Sequence, residues 1–484
     1  MTKITILGFA ALVSATAFVG CNGDATDYTE DSGSNVAVHS FNLQENNKIL
    51  NDLDTVFFSI DLENARIFNA DSLPYGTRTN ALIPSIKVVE GASEMTLEMS
   101  RAGKPDTIID YINYPEDSID FSNGPVKLKV VSLNKLVTRT YEIKVNVHQV
   151  KSDSLQWAQT AYRNLPTELN APTMQKTTAT EHAYYCLTTD GTSWSLAKAD
   201  EPSGNWTYSV PQLPTTADIN TFCATETKFY IIDNGMLMSS EDGINWTSTG
   251  REFEYIYGTY GEKVLGVFKD GSVTKFAEYP GETSIYIPYG LPVRGTSHLV
   301  YVNFNMSSSK IAMLMGGEQT DGTLNSNVWA YDGKEWACLT QKGINKDLKD
   351  MTLLPFYTYR QESILVVKKF AAMLAMGGTD GTNLNRTVYT SVDYGIKWEK
   401  GGELIQLPEF IPTLYGAQAF VAESTLTVSR NNIWKEYVAS RATAPITEWE
   451  CPYIYIFGGY DKDGKLNDAI WRGTINRLSF KPLQ

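Results

Sequence analysis

The sequence is poor in histidine, cysteine and positive charge, and each shortage narrows what the protein can do. Four histidines and five cysteines in 484 residues leave little material for a metal centre. Cys186, Cys223, Cys338 and Cys451 are too far apart for zinc or iron–sulfur spacing, and read as buried free thiols. Against 55 acidic residues stand 41 basic ones, for a formal net charge of −14. That balance argues against a nucleic-acid partner, because a phosphate backbone is held by a basic face that displaces its counterions. Long apolar runs are missing beyond the first twenty residues, and so are a nucleophile elbow, a metalloprotease helix and a phosphate-cradling glycine loop. Plentiful instead are glycine (36), tyrosine (27) and tryptophan (10), which suit many short strands and tight turns. The length exceeds what one hydrophobic core serves, so at least two domains are expected.

The start of the chain stands apart. Lys3 is followed by an uncharged stretch from Ile4 to Val19, then Gly20 and Cys21. The stretch is too short to span a bilayer comfortably and reads as a signal peptide over residues 1–20. A small residue directly before a cysteine resembles the lipobox of a type II signal peptide, although Phe18 stands where leucine is usual. The resemblance implies lipid on Cys21, holding a soluble body at a membrane. Residues 21–35 are polar and acidic and read as a flexible tether.

Residues 36–150 alternate in short runs such as VFFSI (56–60), SIKVV (85–89), VKLKVV (126–131) and YEIKVNV (141–147). In the last, Tyr141, Ile143, Val145 and Val147 face one way while Glu142, Lys144 and Asn146 face the other, as in a half-buried strand. An immunoglobulin-like β-sandwich is the expected fold of this domain.

Residues 151–180 carry little strand signal and read as a linker. Beyond them, over residues 181–484, the sequence repeats itself. Four turns lead into a tryptophan: Asp190 to Trp194, Asp242 to Trp246, Asp332 to Trp336 and Asp393 to Trp398. Three apolar strands end in paired glycines, AMLMGG (312–317), AAMLAMGG (371–378) and YIYIFGG (453–459), each followed by an Asp-Gly turn and another strand. Such a block is the signature of a β-propeller blade, whose sheets bury their faces against each other around an axis. About seven blades are expected, with six or eight also compatible because the third and sixth rest on spacing alone, near 182–207, 222–250, 254–281, 299–340, 370–400, 416–450 and 454–480. The last strand, after Trp471, is expected to close the ring beside 181–187. The fold class is therefore all-β, a sandwich followed by a propeller.

These repeats resemble two kinds of blade. The Gly-Gly strand with a later tryptophan is similar to kelch repeats, as in galactose-oxidase-like propellers. Ser391, Asp393, Gly395 and Trp398 resemble the Asp-box of sialidase-type propellers without a gap, and the Asp242 copy lacks one residue. The resemblance implies a structural turn and a tryptophan packed between sheets. As a whole, the arrangement resembles an uncharacterised family of Bacteroidota lipoproteins with a lipobox, a small sandwich domain and a kelch-like propeller. It implies an outer-membrane lipoprotein, which the acidic residues Asp24, Asp27, Glu30 and Asp31 would suit at the cell surface. The phylum also places O-glycans at Asp-Ser or Asp-Thr before an apolar residue, which matches Thr55, Ser72, Thr107, Ser118 and Ser154. Such pairs are also common at turns.

The chemistry those resemblances would carry is not visible. None of the propeller arginines lies in the strand motif that opens a sialidase blade. His182 and His298 fall in different blades, whereas copper needs converging imidazoles. Glu318, Asp321, Asp380 and Asp461 could serve a glycosidase, but the last three recur in the turn after each glycine pair, which marks a structural role. No catalytic, cofactor or metal residue is assigned. Aromatic residues outside the repeat are the better ligand candidates: Tyr286 and Tyr289 in YIPYGLPVRG (286–295), and Phe356, Tyr357 and Tyr359 in LLPFYTYR (353–360), both read as loops beside the central channel. The expected function is a non-catalytic envelope lipoprotein whose propeller binds a glycan or a protein. A glycoside hydrolase or lyase would instead show a channel-end pocket with two carboxylates, one of them shifted in pKa, and a purely structural envelope protein would show no such pocket.

Overall fold

The computed structural model describes residues 33–69, 72–101, 103–148, 151, 154–281, 284–363, 366–427 and 448–476; Cys21 and most of the tether lie outside them. The described residues are essentially all strand and turn, with a single short 3-10 turn, Leu53–Thr55. The chain divides into two compact units.

In the N-terminal unit Val38–Leu43 pairs antiparallel with Pro84–Val88. A second sheet of six strands runs in the order Ser59–Asp61, Arg66–Phe68, Thr138–Lys144, Val126–Val131, Glu94–Arg101 and Lys104–Asp110. Its pairs are antiparallel except Arg66–Phe68 with Thr138–Lys144. Alternation buries Leu97, Leu128, Tyr141 and Ile143 from the larger sheet, and Val38, Phe41 and Leu43 from the smaller. The Tyr141 hydroxyl donates to the Val36 carbonyl at 3.0 Å, so its buried oxygen is satisfied. The alternation seen in YEIKVNV ends early. The strand stops at Lys144, and Asn146 is buried while Val147 is only partly so.

The C-terminal unit holds six sheets among the described residues, and the first five repeat one plan of four antiparallel strands. Their first strands are Met174–Ala179, Ala217–Ala224, Tyr255–Tyr260, Ser297–Asn303 and Lys349–Ser363; the sixth sheet begins with Gln418–Thr427. Each first strand packs against the first strand of the next sheet, and the sixth against the first, so the six form a closed, propeller-like ring. Six apolar clusters fill the gaps between consecutive sheets. The unbroken apolar runs explain themselves here. Ala312 to Met315 and Ala371 to Met376 are second strands buried on both faces, where alternation would place polar groups in a core. Full burial of each Leu or Met contributes roughly 1.5–3 kcal/mol.

The paired glycines stand where these second strands end. Gly316, Gly377 and Gly458 all have φ near +60° (65°, 65° and 59°), a conformation that favours glycine. A β-carbon on Gly316 or Gly377 would collide with the carbonyl of Leu348 or Leu414, in the approach to the following sheet.

Two features differ from the sequence expectation. The stretches 416–450 and 454–480 are one sheet rather than two blades, because Gln418–Thr427 pairs with Glu448–Phe457, which pairs with Ala469–Asn476. Ring closure also uses other residues than 181–187. Ser154–Trp157 and Arg163–Asn164, inside the stretch read as a linker, both pair with Ala469–Asn476. Met174–Ala179 is likewise the first strand of the first sheet, and Tyr184–Thr189 is its second. Strands of two to four residues are too short to carry a visible period, which is why this region looks strandless.

Candidate functional site

Because every sheet contributes its first strand to the ring, the side chains at the start of those strands meet at one end of a central cavity of about 1470 Å³. Six polar residues line it from near-equivalent positions: Lys176, Asp218, Tyr255, His298, Asp350 and Gln418. Each is the first, second or third residue of its strand. Asn220, Tyr415 and Tyr460 stand beside them in the same lining.

The polar groups of this ring are unequally satisfied. Gln418 is fixed, its Oε1 accepting from Gln175 Nε2 at 2.8 Å and from the Thr177 amide at 2.9 Å. One Asp218 oxygen accepts from the Asn220 amide and side chain, both at 3.0 Å. No hydrogen bond or ion pair among the described residues holds the Lys176 ammonium or the Asp350 carboxylate, and the buried His298 Nε2 has no hydrogen-bond partner.

Enclosure by the ring sets the charges. Desolvation lowers the Lys176 pKa below its ordinary value, against the opposing pull of Asp350, Cys223 and Asp218. Desolvation, with help from Lys176, pushes His298 down to about 4, so its imidazole is neutral at physiological pH. The Asp350 carboxyl is raised by burial, which Lys349 and Lys176 oppose. Tyr255 is raised by burial first, then by Asp350 and Asp218, and Tyr415 by burial, then by Asp350 and Asp461. Lys176, Asp218, Tyr255, His298 and Asp350 thus act on one another through space.

Asp350 also bears backbone strain, with φ at +53°. Two main-chain bonds hold it there. Its amide donates to Gly295 and its carbonyl accepts from Gly416, both at 2.7 Å, tying the fourth and sixth sheets to the fifth.

Of the aromatic residues singled out from the sequence, Tyr286, Tyr289 and Phe356 do not line this cavity. Tyr286 ends the outermost strand of the third sheet, is 74% exposed, and lies under the Lys275 ammonium at 5.3 Å. Tyr289 is 97% exposed in the turn that follows. Residues 353–360 form no loop; they continue the first strand of the fifth sheet, where Phe356 packs against the cluster between sheets five and six. The side chains of Tyr357 and Tyr359 lie outside the described residues. The tripled aspartates are turn formers: Asp321, Asp380 and Asp461 accept backbone amides two to four residues ahead. Glu318 is engaged by Arg294 at 3.5 Å and Lys349 at 3.7 Å.

The four tryptophan turns fall into two kinds. In two, a serine completes the turn: Ser240 and Ser391 bond Asp242 and Asp393 at 2.9 and 2.8 Å and accept the amides of Gly243 and Gly395. There Trp246 and Trp398 donate to those same glycines at 3.2 and 3.0 Å. At Asp190 the capping hydroxyl is Thr189, which accepts the Gly191 amide at 3.0 Å, and at Asp332 the aspartate caps the turn alone; the indole nitrogens of Trp194 and Trp336 are buried without a hydrogen-bond partner. The candidate glycosylation sites are also unlike one another in exposure. Thr55 and Ser118 are exposed and Thr107 is half-buried, whereas Ser72 and Ser154 are buried.

Cys186 and Cys223 are buried free thiols, and Cys338 is free and exposed. No group of three or more His, Cys, Asp or Glu side chains among the described residues is placed to hold a metal ion.

The ring itself shows as no motif in the sequence. Lys176 sat in the supposed linker, His298 was weighed only as a copper ligand, and Asp218 and Asp350 belong to no motif. The signal that finds them is positional: one polar residue at the start of every first strand, visible once the six strands are aligned. Residues 151–483 match the DUF6242 beta propeller domain, and residues 32–145 match the DUF6242 N-terminal domain, a domain of unknown function. No curated protein matches the chain. With both domains matched in order over most of its length, the chain belongs to the DUF6242 family.

Proposed function

We propose that this protein is a non-catalytic lipoprotein of the bacterial outer membrane, tethered through lipid on Cys21. In this reading an immunoglobulin-like sandwich spaces a six-bladed, kelch-like propeller with Asp-box turns from the membrane. The propeller binds a glycan or a protein partner at the ring end of its channel. The observation that carries the reading is the pair Lys176 and Asp350, whose charged groups line the cavity with no hydrogen bond or ion pair to hold them among the described residues.

The test is binding of the purified chain to a panel of host and plant polysaccharides, with cross-linking in intact cells for protein partners. Asp350→Asn is expected to abolish whichever binding is found, and Tyr289→Ala to leave it unchanged. Binding lost with Tyr289→Ala and kept with Asp350→Asn would move the site to the outer edge of the third sheet.

One observation favours a second reading, a glycoside hydrolase or lyase. Asp218 and Asp350 share the cavity in unlike surroundings: Asp218 accepts two hydrogen bonds from Asn220, whereas no hydrogen bond holds the Asp350 carboxylate and burial raises its pKa, the asymmetry an acid–base pair requires. Shortening of a bound polysaccharide, lost in Asp350→Asn while affinity persists, would establish it.

A further inference from the structure

The ring carries both signs of charge and both kinds of hydrogen-bonding group, and this combination restricts its ligand. Lys176 offers three donors, Asp350 two acceptor oxygens and the Tyr255 hydroxyl one site. An anionic ligand drawn to Lys176 meets Asp218 and Asp350, whose charges already reach that ammonium. A cationic ligand drawn to the carboxylates meets Lys176 in turn. In an enclosed site these repulsions are poorly screened. A neutral ligand rich in hydroxyl groups escapes both, because each hydroxyl donates to a carboxylate while accepting from an ammonium or imidazole. Tyr415 and Tyr460 add ring surface at the same end, their centroids 5.5 Å apart and their planes tilted by 37°. Their backbones are bonded to each other in both directions, at 3.0 and 2.8 Å, so the pair is held rigidly. Aromatic surface of this kind packs against the C–H faces of a sugar. The cavity, at about 1470 Å³, exceeds the roughly 300–1,000 Å³ that suits a single drug-sized ligand, leaving room for several linked units.

We infer that the ring at the start of the six first strands binds the terminal residues of an uncharged oligosaccharide. The vicinal hydroxyls of the sugar are shared between Asp350 and Lys176, and its apolar face lies toward Tyr415 and Tyr460. This rests on the reading of the C-terminal unit as a binding module, and names its ligand class.

The experiment is calorimetric titration of the purified full chain with neutral, uronate-containing and amino-sugar oligosaccharides of matched length. Lys176→Met and Asp350→Asn are compared with the unaltered chain, each after a melting curve to confirm folding. Asparagine tolerates the left-handed backbone at 350, and His298→Gln serves as the third variant should Lys176→Met fail to fold. A neutral oligosaccharide is expected to bind saturably. Each ring variant should weaken it about tenfold or more, and uronate or amine-bearing analogues should bind less well. Tighter binding of a charged analogue overturns the inference, as does neutral binding that survives both variants. Should no sugar bind while Asp350→Asn abolishes capture of a protein partner, the sugar assignment falls and the binding-module reading stands. Should the ring variants change no binding of either class, both fall.

Discussion

The imidazole of His298 occupies the place where a β-carbon on Gly258 would stand, with its Nδ1 the nearest atom. The two residues belong to the first strands of adjacent sheets, and the pairing register of the Gly258 strand shifts between Ile256 and Gly258. Bare backbone on one strand therefore makes room for a ring from its neighbour. This contact seats His298 in the channel wall.

Gly258→Ala is expected to destabilise the protein by about 1–3 kcal/mol through overpacking, and His298→Ala should remove the clash. In a double-mutant cycle read by chemical denaturation, the pair should then be less damaging than the sum of the singles. Additive effects would show that the two side chains do not compete for one space.

The neutral state of His298 makes stability depend on pH. Its folded pKa of about 4 lies below the ordinary value of 6.5. Between these values the unfolded chain binds a proton that the folded chain does not. Stability therefore rises with pH across this window: the contribution is full above about 6.5 and is lost as pH falls toward about 4. Thermal melts from pH 7 to pH 4 are expected to drop more steeply for the native chain than for His298→Gln. An imidazole titrating near 6.5 by nuclear magnetic resonance would contradict the burial on which this rests.

Asp242 works in the same sense through a different cause, hydrogen bonds to its charged form rather than burial. Its carboxylate accepts the Asn245 and Ile244 amides and the Asn245 side chain, which hold its pKa well below the ordinary carboxylate value. A depressed carboxylate stabilises the fold above the unfolded pKa of about 3.9 and loses that contribution as pH falls further. Asp242→Asn should thus lower the melting temperature at neutral pH, and the gap to the native chain should narrow as pH falls from about 4 to about 2. An unchanged gap between the two at both pH values would count against the turn as the cause.

How legible the molecule was depends on the range of the signal. The tryptophan turns and the Gly-Gly strands show in the sequence because Ser391, Asp393, Gly395 and Trp398 bond within one short turn, and each buried apolar run with its glycine pair is continuous in the chain. The sixth sheet does not, since its outer strands come from residues 154–164 and its inner ones lie beyond residue 417. No local pattern records such a pairing. The ring is harder still. Lys176 and Asp350 are unremarkable residues apart in sequence, and only the closure of six strands brings them to one cavity. The exposed tyrosines were misplaced for the same reason, because Tyr286 and Lys349 look equally loop-like until the strand order puts one at the outer edge and the other on the channel.

Thiol reactivity separates the buried wall from the rim. Cys186 is wholly buried in the cluster between the sixth and first sheets, and burial pushes its thiol up to about 12. Cys223 ends its strand in the ring wall and is also raised to about 12 by burial, which Lys176 only partly offsets. Cys338 is exposed in the outermost strand of the fourth sheet. Since the thiolate is the nucleophile, a thiol shifted up by about three units carries roughly a thousandth of the usual thiolate at neutral pH. Alkylation of the folded chain, followed by peptide mass spectrometry, should label Cys338 first and leave Cys186 and Cys223 unmodified until denaturant is added. Early labelling of Cys223 alone would show that the cavity admits reagent and solvent to its wall, and the desolvation assigned to Lys176 and His298 would then fail with it. Early labelling of Cys186 would instead mean that the sixth and first sheets part readily, so that closure through residues 154–164 is the weak seam of the ring.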